Sequence, residues 1–236
     1  MTNTNTNTSG VKINIQEKTI ESEDSVKLLG IELEYKLNFE SHISRLCKKA
    51  AAQLNVLQRL RAYIGFRERN VLVHSFIYSN FNYCPLVWHF CSAKSMHKIE
   101  KIQERALRFL HHDYTSPYDD LLSKSQRCTM HVSRLRTLSL EIFKTLNDLN
   151  PPFMRDIFKT RTSKYSMRNL NNLAHYRPNQ VKFGSNSLKF LGPQIWNCLP
   201  DELKSAKDLK TFKSLITQWS GPTCKCNACL FILNND

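Results

Sequence analysis

Apolar positions recurring every three to four residues predict a helix from Ser41 to about Leu60. Ile43, Leu46, Ala50, Leu54, Leu57 and Leu60 share one face, with Lys48, Lys49, Gln53 and Arg59 elsewhere on the wheel. Ser41 is expected to cap this helix. From about Arg67 to Phe81, the apolar positions Val71, Val73, Phe76, Ile77 and Phe81 are dense enough to predict a central, buried helix. Pro85, in the stretch Asn82-Tyr83-Cys84-Pro85-Leu86-Val87-Trp88, should interrupt it. A third amphipathic helix, from Ser95 to His111, sets Ile99, Ile102, Ala106 and Leu110 against Lys94, Lys98, Lys101, Arg105 and Arg108. It is the most basic helix of the chain. Beyond a break over His112 to Tyr118, Leu121-Leu122 and the run from Met130 to Leu149 resume helix, ended by Asn150-Pro151-Pro152.

The pattern differs at the two flanks. Between Val11 and Phe39 it shortens to β-type runs, VKINI and VKLLGIEL, the second containing Gly30, which predicts a small hairpin or sheet edge over 11–40. The Asn-Thr repeat of residues 1–10 has nothing to bury and is expected to be a disordered leader. Residues 159–187 are polar and basic and predict an exposed linker. A smaller α-rich C-terminal region is expected over 188–221. It holds a turn at Trp196-Asn197-Cys198-Leu199-Pro200, a helix from about Pro200 to Ala206, and another from Leu209 to Trp219 capped by Asp208. A cysteine-containing tail, 222–236, follows. The expected fold is mainly α: an N-terminal β-hairpin, a helical bundle over 41–158 and the smaller C-terminal helices.

Charge narrows the partners. Lys and Arg number 34 against 20 Asp and Glu, a net charge of +14 that places polyanions first. The basic residues are spread along the chain rather than gathered beside one apolar or amphipathic segment. That distribution favours nucleic acid over an anionic membrane surface. No apolar run approaches the roughly 18 residues a spanning helix needs, and the start has neither the basic nor the apolar region of a signal peptide. An intracellular protein, nuclear or cytoplasmic, with free thiols is therefore expected.

Several segments, taken in order, resemble reverse transcriptases of non-LTR retrotransposons of the jockey-like kind. They are Val26-Lys27-Leu28-Leu29-Gly30-Ile31 with Leu37-Asn38-Phe39 and His42-Ile43, then Phe81-Asn82-Tyr83-Cys84 with Val87-Trp88. Ile102-Gln103-Glu104-Arg105-Ala106-Leu107-Arg108 and Asn150-Pro151-Pro152 come next. Gly192-Pro193-Gln194-Ile195-Trp196-Asn197-Cys198-Leu199-Pro200, followed by Leu209-Lys210-Thr211-Phe212-Lys213, completes the series. The resemblance covers residues 26 to 229. It implies a hairpin at the edge of the polymerase palm, a helical thumb, and a C-terminal region that holds RNA or target DNA. Polymerases of this family are RNA-directed DNA polymerases whose metal-binding aspartates precede the hairpin in sequence. Only the Asn-Thr leader and one short strand precede Gly30 here, so the resemblance implies a truncated chain that is not itself an enzyme.

The chemistry that remains is binding. Tyr118-Asp119-Asp120 looks like the paired aspartates that hold two Mg²⁺ ions, but it follows Thr115-Ser116-Pro117 rather than an apolar strand, and lies after the hairpin. Asp119 and Asp120 are expected instead in the first turn of a helix. His111, His112 and His131 have no nucleophile or carboxylate at a spacing that ties them together. Cys224, Cys226 and Cys229 present three thiolates in six residues, one ligand short of a closed zinc site. Zinc binding and three ordinary thiols both remain open there. No other cofactor is expected. As phosphate contacts the thumb reading selects Lys94, Lys98, Lys101, Arg105 and Arg108 on the third helix and Lys48, Lys49 and Arg59 on the first. In the linker, Lys164, Arg168, Arg177 and Lys182 interleave with Tyr165, Tyr176 and Phe183, a pattern suited to single-strand contact or to a solvated linker. Expected partners are RNA, DNA or an RNA–DNA hybrid. The alternative is a scaffold whose helices dock on another chain, such as a palm-containing reverse transcriptase, through the unpaired hairpin edge.

Overall fold

The structure is a computed structural model and describes residues 12–15, 18–21, 23–161, 172–177 and 187–222. The fold is mainly α, and among the described residues the β-strands lie at the N-terminal flank, as the pattern predicts; a lone antiparallel bridge, Thr160–Leu173, forms within the stretch expected to be a linker. Two separate hairpins form at the N-terminal flank instead of one: β1 (Lys12–Ile15) pairs with β2 (Lys18–Glu21), and β3 (Ser25–Leu28) with β4 (Ile31–Glu34), both antiparallel. The second is closed by Leu29-Gly30 with both φ angles positive, +47° and +84°, the two-residue turn that matches strand twist. Gly30 adopts this backbone freely, whereas Leu29 does so at roughly 1–2 kcal/mol.

Helix α1 (Glu40–Arg59) follows and buries Ile43, Ala50, Leu54 and Leu57, the predicted face. Ser41 does not cap it. The helix begins at Glu40 behind Phe39 in the left-handed region, and the Ser41 N–H donates to Glu34 Oε1 at 2.8 Å. A hairpin carboxylate thus does the work that the sequence assigns to a local hydroxyl. After a 3₁₀ turn (Arg61–Tyr63), α2 (Phe66–Leu72) passes into a π-helical segment (Val73–Tyr78) and then α3 (Ser79–Asn82). The π turn widens the helix and shifts its faces. Val73, Ile77, Tyr78 and Phe81 are buried while Val71, His74 and Phe76 are exposed, so this stretch is half-exposed and not wholly buried as predicted. Cys84 takes a left-handed conformation, and Pro85 opens the short α4 (Pro85–Trp88).

Helix α5 (Ala93–His111) lies beside α1, and the two run parallel. Ser92 Oγ donates to Glu40 Oε1 at 3.2 Å at their N-terminal ends, and Arg105 Nη2 donates to Asn55 Oδ1 at 3.0 Å farther along. Their facing sides, with the π segment and Trp88, enclose a first core in which Ile43, Leu54, Ile77, Ile99 and Phe109 are fully buried. Each such side chain contributes about 1.5–3 kcal/mol by leaving water. A short α6 (Tyr118–Lys124) covers Leu107 and Leu110.

Helix α7 (Met130–Leu146) is started by α5. The N–H of Met130 donates to Gln103 Oε1 at 2.9 Å and that of His131 to Glu100 Oε1 at 2.8 Å, while Thr129 caps Val132 at 3.2 Å. Its far side meets α8 (Leu188–Asn197), α9 (Asp201–Lys204) and α10 (Leu209–Gln218) in a second core. There Phe143 stacks on Phe212 at 4.3 Å. Asp208 caps α10 as predicted, accepting from the Thr211 N–H at 2.8 Å. A 3₁₀ turn (Pro152–Ile157) leads from α7 to Phe158, whose ring lies against Gly192 of α8. Asn197 acts as a surrogate strand. Its side chain accepts from the Leu173 N–H at 2.8 Å and donates to the Leu173 carbonyl at 3.0 Å, seating buried Leu173 in the second core.

Candidate nucleic-acid interface

Lys94, Lys98, Lys101, Arg105 and Arg108 succeed one another by four, three, four and three residues. That spacing confines them to about a quarter of the circumference of α5 and spreads them over about 21 Å of its length. Lys94, Lys98 and Lys101 are exposed; Arg105 and Arg108 are half-buried. Lys98 sits across from Cys47 of α1. Burial raises the Cys47 thiol to about 11, and the Lys98 charge acts in the opposite direction. Lys48 follows Cys47, and Arg59, three turns on, falls on the same line of α1. Both are exposed, so the two parallel helices present one basic rim. Lys49 does not join it. It shares a face with Gln53, whose side chain accepts from Asn80 at 2.9 Å on the flank away from α5.

The charges on this rim differ in their engagement. Glu104 holds Lys101 at 2.9 Å and Arg108 at 2.7 Å, and these bonds keep its carboxyl below the usual carboxylate range. Arg108 also donates to the Ser116 carbonyl at 3.1 Å, and Arg105 is held by the neutral Asn55. Lys48, Arg59, Lys94 and Lys98 make no ion pair among the described residues. Their charge is therefore available to a polyanion.

Arg177 is exposed, next to Tyr176, whose ring has the Lys189 ammonium 4.7 Å from its centroid. Lys164, Arg168, Lys182, Tyr165 and Phe183 fall outside the described residues, as do Cys224, Cys226 and Cys229. Asp119 and Asp120 stand exposed in the first turn of α6, where the helix dipole favours them. Among the described residues no group of three His, Cys, Asp or Glu side chains is placed to hold a metal ion. The Tyr118 hydroxyl is bound to Glu100 at 2.8 Å and Gln103 at 2.7 Å; burial and the Glu100 charge push its pKa up. His111 pairs with Ser125 Oγ at 2.5 Å, and His131 stacks on His89.

Two further groupings went unread in the sequence. At the hairpin, the Tyr83 hydroxyl donates to the Leu29 carbonyl at 2.7 Å and Arg45 Nη2 to the Gly30 carbonyl at 3.0 Å, so the Leu29-Gly30 and Tyr83-Cys84 stretches meet. At the C-terminal ends of α1 and α5, Arg61 Nη1 donates to the Tyr114 hydroxyl at 2.9 Å, with its guanidinium 5.7 Å from the ring centroid. The Phe66 ring lies 5.5 Å from His111, and Tyr63 stands 86% exposed. The alternation of rings and guanidiniums in Arg61-Ala62-Tyr63-Ile64-Gly65-Phe66-Arg67 was the available signal.

No family model, curated protein or solved structure matches this chain. Among the described residues no helix is long and apolar enough to cross a membrane.

Proposed function

We propose that this chain is the thumb-like, nucleic-acid-gripping part of a non-LTR retrotransposon reverse transcriptase, with no polymerase chemistry of its own. The basic rim supports the reading: a 21 Å line of cations on α5, flanked by Lys48 and Arg59 of α1, with Lys94 and Lys98 unneutralised among the described residues. Each strand of a duplex presents successive backbone phosphates, so a line of cations of this length meets more than one of them. Lysine and arginine on such a face hold phosphates and do not read base edges. The protein binds an RNA–DNA hybrid, RNA or DNA without sequence preference.

The test is fluorescence anisotropy with an RNA–DNA hybrid, single-stranded RNA and duplex DNA, comparing the protein with its Lys94→Glu/Lys98→Glu variant. Micromolar or tighter binding, weakened about tenfold or more by the double reversal, is expected. A folded, monomeric sample that binds none of the three sinks the reading, as does a variant that binds as well as its parent.

One observation favours a second reading, a docking scaffold. Strand β3 is exposed along its whole length, with Val26 and Leu28 half in water and Leu29 81% exposed at the tip. Such an edge accepts a strand of another chain. This reading expects oligomers in light scattering that a Leu29→Asp substitution disperses.

A further inference from the structure

We infer that the C-terminal ends of α1 and α5 form a stacking platform for unpaired nucleotides, making a duplex with a single-stranded overhang the preferred ligand. The inference rests on the rim proposed above and extends it. Because α1 and α5 run parallel, both helices end on the same side of the molecule, and the loops that follow them meet there. The Arg61–Tyr114 hydrogen bond at 2.9 Å ties the two loops together across 53 residues of sequence. Arg69 secures the arrangement from below, donating to the Phe109 carbonyl at 3.4 Å and the Gly65 carbonyl at 3.3 Å.

The surface so formed is both aromatic and cationic. Tyr63 is 86%, Phe66 52% and Tyr114 50% exposed. Arg61 stands over one of these rings, and Arg59 and Arg67 are exposed nearby. The acids close in sequence are Asp113, bound by Lys124 at 2.5 Å, and Glu68 in the first turn of α2. Tyr63 makes no ring or cation contact among the described residues, whereas Phe66 packs on His111 and Tyr114 on Arg61; half-exposed or more, such rings among guanidiniums suit nucleobases, which stack on aromatic surface whatever the sequence, while the cations follow the phosphates. Position decides the class of ligand. The platform continues the line of Lys98, Arg105 and Arg108 past the end of α5, where a duplex lying along that line would release its strand. Paired bases are already stacked on one another and cannot use the rings; unpaired ones can.

The experiment titrates the full chain with a blunt hybrid duplex and with the same duplex carrying a ten-nucleotide overhang, of RNA in one arm and DNA in the other. A Tyr63→Ala/Tyr114→Ala variant is measured in parallel, with Tyr63→Ala alone as a control that leaves the Arg61–Tyr114 bond in place. The overhang should tighten binding about tenfold or more. The double variant should lose that gain while keeping the blunt-duplex affinity, and Tyr63→Ala should lose part of it. 2-Aminopurine at the first unpaired position should be quenched by the parent protein and less so by Tyr63→Ala. Equal affinity for blunt and overhung duplexes overturns the platform and leaves the rim standing, and so does a gain that survives both variants. No binding to either substrate overturns both. A preference confined to one arm assigns the platform to that nucleic acid.

Discussion

At the scale of single residues the fold depends on contacts that local sequence does not announce. A Cβ added at Gly192 would overlap Phe158 Cε1, and the buried ring cannot step aside without disturbing the second core. Gly192→Ala should therefore destabilise the protein by about 1–3 kcal/mol, the usual range for overpacking. Thermal denaturation reads the loss, and adding Phe158→Leu should restore part of it, a coupling between the two sites that independent residues would not show. Gly192 is legible in the sequence only as a helix breaker, because Phe158 lies more than thirty residues earlier. Asp208 was readable as a cap because Thr211, its partner, is three residues away. Ser41 was misread for the opposite reason, since the capping oxygen comes from Glu34 across a turn.

Among elements, the amphipathic periods of α1 and α5 located both helices, since one continuous face of each enters a core, and α7 was placed by the run from Met130 and the prolines that end it. Helix α8 was missed because Gly192-Pro193 interrupts its pattern; the helix forms through burial of Leu191, Ile195 and Trp196 in the second core. The packing of α4 against α7 has an electrostatic consequence. Arg134 is buried with its guanidinium 5.3 Å from the Trp88 ring centroid and makes no ion pair among the described residues; burial lowers its pKa, with Cys91 and the Glu100 charge opposing. His89, also buried, has a pKa well below its ordinary value, first through burial and then through the charges of Arg134 and His131. Burial lowers His42 as well, with Arg45 adding to the effect and Glu32 opposing it. The unfolded chain binds protons at these histidines from about pH 6.5 downward while the folded chain binds them only at lower pH, so stability is full above that value and falls as the pH drops below it. Urea midpoints should decline between pH 7.5 and 5, and His89→Leu should flatten the decline. A steeper fall in that variant would contradict the assignment.

For the whole molecule, the parallel course of α1 and α5 brings the basic residues of two amphipathic helices onto one rim. Basic residues on each helix could be read from sequence; that Lys48 and Arg59 line up with Lys98 and Arg105, while Lys49 turns away, could not, because only the packing sets which flanks adjoin. The same packing sets the expected response to salt. If Lys48, Arg59, Lys94, Lys98 and Arg105 each displace one counterion from a duplex, log K should fall against log salt with a slope of about −4.5. Lys101 and Arg108 contribute less, because Glu104 already neutralises them at 2.9 and 2.7 Å. Glu104→Gln removes that carboxylate with little change of shape and frees both cations toward phosphate. It should tighten binding at low salt and steepen the slope by about two, one for each released charge, whereas Lys98→Gln should flatten it by about one. Anisotropy titrations at four salt concentrations separate these cases. A Glu104→Gln slope unchanged from the parent would mean that nucleic acid does not lie along α5.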